Sequence, residues 1–139
     1  MTKGPIVILE DDKDDQEVYA EVIREIGITN DFRFFDNATD VLKYLTTTEE
    51  QPFILISDIN MPQMTGLELM KKIQEDPYLT SKGIPFVFLS TDASKVSIRH
   101  AHALSVQGYF QKPNNLNDLK GLFQALFTYW QLCRHINNT

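Results

Sequence analysis

Three runs of nearly unbroken apolar residues dominate the chain: PIVIL at 5–9, FILIS at 53–57 and IPFVFL at 84–89. Runs this short and this apolar read as strands covered on both faces, as in a parallel sheet. Two weaker runs, DFRFF at 31–35 and GYFQ at 108–111, fit the same spacing. Between them lie amphipathic stretches near 13–26, 38–47, 65–75 and 94–105, with a last one near 115–132. In the first, Val18, Val22 and Ile26 recur at steps of four, so one helical face turns to the sheet. Asp12 or Asp14 can cap its start and Gly27 suits its end. Strand and helix alternate five times, which gives an α/β domain with a doubly wound parallel sheet and helices on both faces.

In open parallel sheets, ligands bind beyond the carboxyl ends of the strands. The residues that follow each strand therefore matter most. The first run ends in Glu10, Asp11 and Asp12, and the third in Asp58 and Asn60. The fourth ends in Ser90, Thr91 and Asp92, and the fifth in Lys112 and Pro113. The second contributes only Asp36 and Asn37. Carboxylates, a hydroxyl and an ammonium thus converge on one rim.

Crowded carboxylates repel unless a cation or a shared proton relieves them. Oxygen donors suit a hard cation, and magnesium commonly pairs carboxylates with phosphate oxygens. A carboxylate cluster with a lysine is a reasonable phosphoryl site, with Asp58 as nucleophile and an aspartyl phosphate as product. Taken singly, each element has a simpler reading. Asp12, Asp14 and Asp15 serve as helix-terminal acids, an Asp after a strand is a turn residue, and Lys-Pro is a loop. Convergence after four separate strands favours the site. An EF-hand does not fit the acidic run, which lacks the loop glycine and a bidentate glutamate in register.

Composition narrows the field further. The chain has 139 residues, 42% of them hydrophobic, the size of one domain. A net charge of −6 argues against nonspecific nucleic-acid binding. Cys133 is the one cysteine, so neither an internal disulfide nor a cysteine zinc site is available. No apolar run approaches the ~20 residues that span a bilayer, and the first residues do not read as a signal peptide, so the cytoplasm is the expected location. We expect one domain over 1–139, with its core at about 5–130 and a tail at 131–139 that frays after Cys133. His100 and His102 are expected on different helix faces, and with His135 they read as surface residues.

ILEDD, ILISDINMPQMTGLEL, PFVFLSTDAS and GYFQKP, in that order and each at a strand end, resemble the receiver domain of two-component response regulators. The similarity runs from about Pro5 to Leu126 and is greatest to the stand-alone, chemotaxis-type receiver. The resemblance implies a flavodoxin-like sheet of order 2-1-3-4-5. It makes Asp58 the phosphoacceptor and Glu10 and Asp11 the acidic pair that holds magnesium, Asp11 directly and Glu10 through water. Asn60 would offer its backbone carbonyl to the metal. Ser90 matches the hydroxyl that contacts the phosphoryl group, Lys112 the lysine that pairs with the acceptor or its phosphate, and Tyr109 the switch aromatic. The implied partner is a histidine kinase or phosphotransfer protein, whose phosphohistidine Asp58 attacks. The implied output is a changed protein–protein surface over the fourth and fifth expected helices and the fifth strand.

The chain departs from the family pattern at some positions. Thr91 stands where a small Ala or Gly is usual, and we expect its β-branch to narrow access to Asp58. Thr65 replaces a frequent Asp and Asn114 a common apolar residue. On the last helix, at about 100° per residue, Leu119, Phe123, Leu126 and Trp130 form a core stripe. Leu122, Phe127 and Tyr129 widen it, either as a thicker core or as a docking face for a partner or a second copy. Two other functions compete. A haloacid-dehalogenase-type phosphatase needs a second Asp where Asn60 stands and a cap domain the length does not allow. A pseudo-receiver that binds partners without phosphorylation has no need of the intact acidic pair and lysine.

Overall fold

The structure, a computed structural model, describes residues 3–134 and 136–138. Its strands are β1 (Ile6–Leu9), β2 (Phe32–Phe35), β3 (Ile54–Ser57), β4 (Phe86–Ser90) and β5 (Gly108–Gln111). Its helices are α1 (Lys13–Glu25), α2 (Ala38–Thr47), α3 (Gly66–Glu75), α4 (Pro77–Lys82), α5 (Lys95–Ala103) and α6 (Leu116–Leu132). All strand pairs are parallel and the order is β2-β1-β3-β4-β5, as expected.

Strand residues alternate between two cores because successive side chains point to opposite faces. Ile6, Ile8, Ile54, Ile56, Val87 and Leu89 pack with Tyr19, Ile23, Phe123 and Phe127 of α1 and α6. Val7, Leu9, Leu55 and Phe88 pack instead with Val41, Leu69, Leu79 and Ala101 on the opposite face. Burying each such side chain contributes roughly 1.5–3 kcal/mol. β5 is an edge strand whose neighbours Tyr109 and Phe110 divide between the cores: Phe110 faces α6, and Tyr109 packs with the other cluster.

Local chemistry sets the helix starts. Asp12 caps α1 by accepting from Asp14 N and Asp15 N. Thr65 caps α3 in a reciprocal capping box with Glu68, so it does the work a frequent Asp does there. Gly27 lies just past α1 at φ +94°, a conformation that suits glycine.

The structure corrects some of these expectations and decides between others. The stretch after α3 holds a further helix, α4, capped by Asp76 with Pro77 in its first turn. Of the two readings left open for the widened stripe, Phe127 takes the thicker core, four residues after Phe123 on the same face, while Tyr129 is exposed. Trp130 sits at the margin of the core, partly buried. The tail is not loose where it is described: Asn137 Nδ2 donates to Lys3 O at 2.6 Å and to Gln51 O at 2.8 Å. His100 and His102 are exposed; His135 lies outside the described residues. Among the described residues, no helix is long and apolar enough to cross a membrane.

Candidate functional site

Strand register brings the rim residues together. Leu9 pairs with both Phe35 and Ser57, so Glu10 and Asp58 leave the sheet side by side. Asp58 N donates to Leu9 O at 3.0 Å, and Lys112 N donates to Ser90 O at 2.9 Å. The end of β1 is thereby tied to that of β3, and the end of β4 to that of β5, by main-chain bonds.

Glu10, Asp11 and Asp58 each offer a carboxylate oxygen within 4.8 Å of the other two. Glu10 is buried and Asp11 is exposed, so the cluster opens to solvent on one side. An all-oxygen donor set of this charge fits a hard divalent cation. Asp58 is positioned through its Oδ1, which accepts from Ile59 N at 2.6 Å and Asn60 N at 3.4 Å. Its side chain is only 11% exposed, yet Oδ2 lies 3.7 Å from Lys112 Nζ.

Lys112 closes the site from the β5 side. Its Nζ lies 2.5 Å from Glu10 Oε1 and 3.3 Å from Asp15 Oδ2. Burial by itself would lower the ammonium's pKa, but the hydrogen bond to Glu10 and the charges of Glu10 and Asp58 prevail and hold it above its ordinary value. The lysine therefore stays charged. Burial pushes the Glu10 carboxyl up, opposed by Lys112 and by the Asp12 N–H. Tyr19 OH also donates to Glu10 Oε1 at 3.5 Å, and Gln16 Nε2 donates to the Glu10 carbonyl at 2.6 Å.

Ser90 ends β4 fully buried, and its Oγ accepts from Asp92 N at 3.1 Å. Asp92 in turn accepts from Ser97 Oγ at 2.6 Å and Ser94 N at 2.9 Å, and these bonds hold its carboxyl below the usual range. Tyr109 OH donates to the Asp92 carbonyl. The loop from Ser90 to α5 is thus tied at once to β4, to the start of α5 and to Tyr109. Thr91 is exposed beside Ser90.

The structure gathers Glu10, Asp11, Asp58 and Lys112 at one point, places Ser90 at the end of the adjoining β4, and brings the hydroxyl of Tyr109, inside β5, to the Asp92 loop. Asn60 follows in the β3–α3 loop, exposed. Sequence reasoning missed two contributors. Asp15, read as a helix-terminal acid, reaches Lys112. Gly66, the first residue of α3, leaves the space that the Asp58 carbonyl fills.

Comparison with known proteins agrees with this geometry. The model of the response regulator receiver domain family matches residues 6–124. The transcriptional regulator NtrC of Proteus hauseri is 31% identical over 99% of this chain, but the chain spans only 28% of that protein's length. Response regulator Rcp1 of Synechocystis is 27% identical, with 90% of this chain and 87% of that protein covered. A crystal structure of Rcp1 in its Mn(2+)-bound form superposes with a TM-score of 0.81 at 25% identity, over 96% of this chain and 98% of that one. The phosphorylated cyanobacterial phytochrome response regulator RcpA superposes with a TM-score of 0.85 at 25% identity, covering 96% and 97% of the two chains. With its sheet order, its rim of acids and lysine, and the family match over nearly its whole length, this chain belongs to the response regulator receiver domains, signalling modules of two-component systems rather than metabolic enzymes.

Proposed function

We propose that this chain is a phosphorylation-switched response regulator that accepts a phosphoryl group on Asp58 from the phosphohistidine of a histidine kinase or phosphotransfer protein. The observation that carries this reading is the placement of Lys112 Nζ 3.7 Å from Asp58 Oδ2, beside a three-carboxylate cluster.

Asp58 Oδ2 attacks phosphorus in line; an O–P bond forms as the P–N bond of the donor breaks, and the electron pair leaves with the imidazole. The Ile59 N–H holds Oδ1, which leaves Oδ2 as the attacking oxygen. Lys112 offsets charge on the phosphoryl oxygens. Glu10, Asp11, Asp58 and the Asn60 carbonyl would hold magnesium, which when bound neutralises charge that gathers on the transferring group. Ser90 supplies a hydroxyl to the phosphoryl group and draws its loop with it. Because Asp92 links that loop to Tyr109 and to α5, the change would be read out on the face made by α5, β5 and α6. A downstream protein, or a second copy of the chain, would dock there. The cytoplasm is the setting consistent with such partners.

Labelling with acetyl phosphate tests the reading. Label is expected only with magnesium present and is expected to disappear in Asp58→Ala. Label that persists in that variant would overturn it, and a folded wild type that never labels would favour the phosphorylation-independent pseudo-receiver.

A further inference from the structure

Lys112 has more anionic company than an ammonium serving Asp58 alone would need. Its two nearest partners, Glu10 at 2.5 Å and Asp15 at 3.3 Å, both come from the β1–α1 segment, and Asp58 at 3.7 Å is third. Lysine has three N–H donors on a flexible stem, so its head divides between the acids that surround it.

The two nearer acids are not equivalent. The Glu10 side chain is 3% exposed. Releasing the lysine from it would strand a buried carboxylate, which is costly. The Asp15 side chain is 42% exposed and rehydrates at little cost. Asp15 is therefore the partner Lys112 can leave. A second feature sits on the same side. A cavity of about 180 Å³ is lined by Asp15, Tyr19, Lys112 and Asn115, and Asp58 does not border it. Lys112 thus borders this space and also reaches Asp58, and its Nζ lies 5.9 Å from the centre of the Tyr19 ring.

We propose that Asp15 is a positioning residue that holds Lys112 back from Asp58, so that occupying Asp58 requires the ammonium to give up Asp15. The inference rests on Asp58 being the phosphoacceptor and adds a determinant of how readily the site fills. A contact made only in the empty state lowers affinity for whatever fills the site, by the strength of that contact. For a half-exposed ion pair this is about two- to five-fold.

The test uses the whole chain, titrated with beryllofluoride in excess magnesium and followed by calorimetry. Asp15→Asn is expected to tighten binding about two- to five-fold, and Asp15→Glu to restore wild-type affinity. Asp14→Asn removes the same charge from an exposed neighbour and is expected to change nothing. In the ligand-free protein, the NMR signal of the Lys112 ammonium is expected to move in Asp15→Asn and not in Asp14→Asn, which a purely structural role would not produce. Unchanged or weaker binding in Asp15→Asn, equal tightening in Asp14→Asn, or failure of Asp15→Glu to restore would overturn the inference while leaving Asp58 as acceptor. Binding indifferent to Asp58→Ala would overturn both.

Discussion

The backbone carbonyl of Asp58 occupies the space beside Gly66: a Cβ on Gly66 would lie 2.2 Å from that oxygen and 2.9 Å from the Phe88 ring. The start of α3 is thus seated directly on the residue that bears the proposed chemistry, and Gly66 N binds the Ile59 carbonyl at 2.9 Å.

Gly66→Ala is expected to force the β3–α3 loop outward. Overpacking of this kind costs about 1–3 kcal/mol, measurable by urea denaturation. Because the displaced atom belongs to Asp58, phosphoryl labelling is expected to fall further than stability alone predicts. Labelling that tracks the folded fraction would show that the contact serves packing only.

Lys112→Met removes the cation from beside Glu10, which keeps only the Asp12 N–H and the Tyr19 hydroxyl. Breaking a buried pair from one side destabilises by about 3–5 kcal/mol, less where the stranded acid takes up a proton. A loss of about 2–4 kcal/mol is expected in chemical denaturation. Millimolar magnesium is expected to narrow the gap from wild type, since without the competing ammonium the carboxylate cluster binds the dication more tightly and the folded variant gains more from it.

The Arg33–Glu50–Tyr44 cluster gives a pH signature remote from the site. The hydrogen bonds from Arg33 and then Tyr44 hold the Glu50 carboxyl below its ordinary value. Its contribution is thus full above its unfolded pKa and fades as pH falls through the folded one. Both side chains of the ion pair are about a third exposed, so the effect is below about 1 kcal/mol. Tyr44 is pushed up to about 12, first by burial and then by its bond to Glu50, so its contribution is full below its unfolded pKa and is lost as pH rises through about 12. Spectrophotometric titration of Glu50→Gln is expected to find the Tyr44 transition at lower pH.

Thr91 is exposed and directly follows Ser90. Thr91→Ala is expected to speed labelling by small phosphodonors about fivefold, a barrier change of about 1 kcal/mol. Equal rates in stopped-flow would mean that the side chain does not obstruct Asp58.

The strands were legible because residues such as Ile54–Ser57 are buried on both faces, which leaves an apolar run in the sequence. Their order fixed which carboxylates meet, so Glu10, Asp58 and Lys112 could be named from the residues after each strand. α4 was not seen because its six residues are too few for periodicity. The signals that mark it are local: the Asp76–Pro77 pair and Gly83 in a left-handed turn at φ +63°. Asp15 was hidden for a different reason. Its partner lies 97 positions away, and an acid in the first turn of a helix is already explained by the helix itself. Phe127 was left between core and docking face because both i+3 and i+4 positions share a helical face, and the breadth of the α1–α6 core decides how many of them are covered.

Tyr109 and Phe110 are consecutive, yet they belong to separate cores. The pleat of β5 works as a partition. On the proposed reading, a ring reorientation on the Tyr109 side would act on the Asp92 loop and α5, which its hydroxyl already touches, while Phe110 stays packed with the α1–α6 cluster. If that face carries the output as proposed, one wall would change shape while the other remained a fixed reference, and a partner spanning both would register the distance between them.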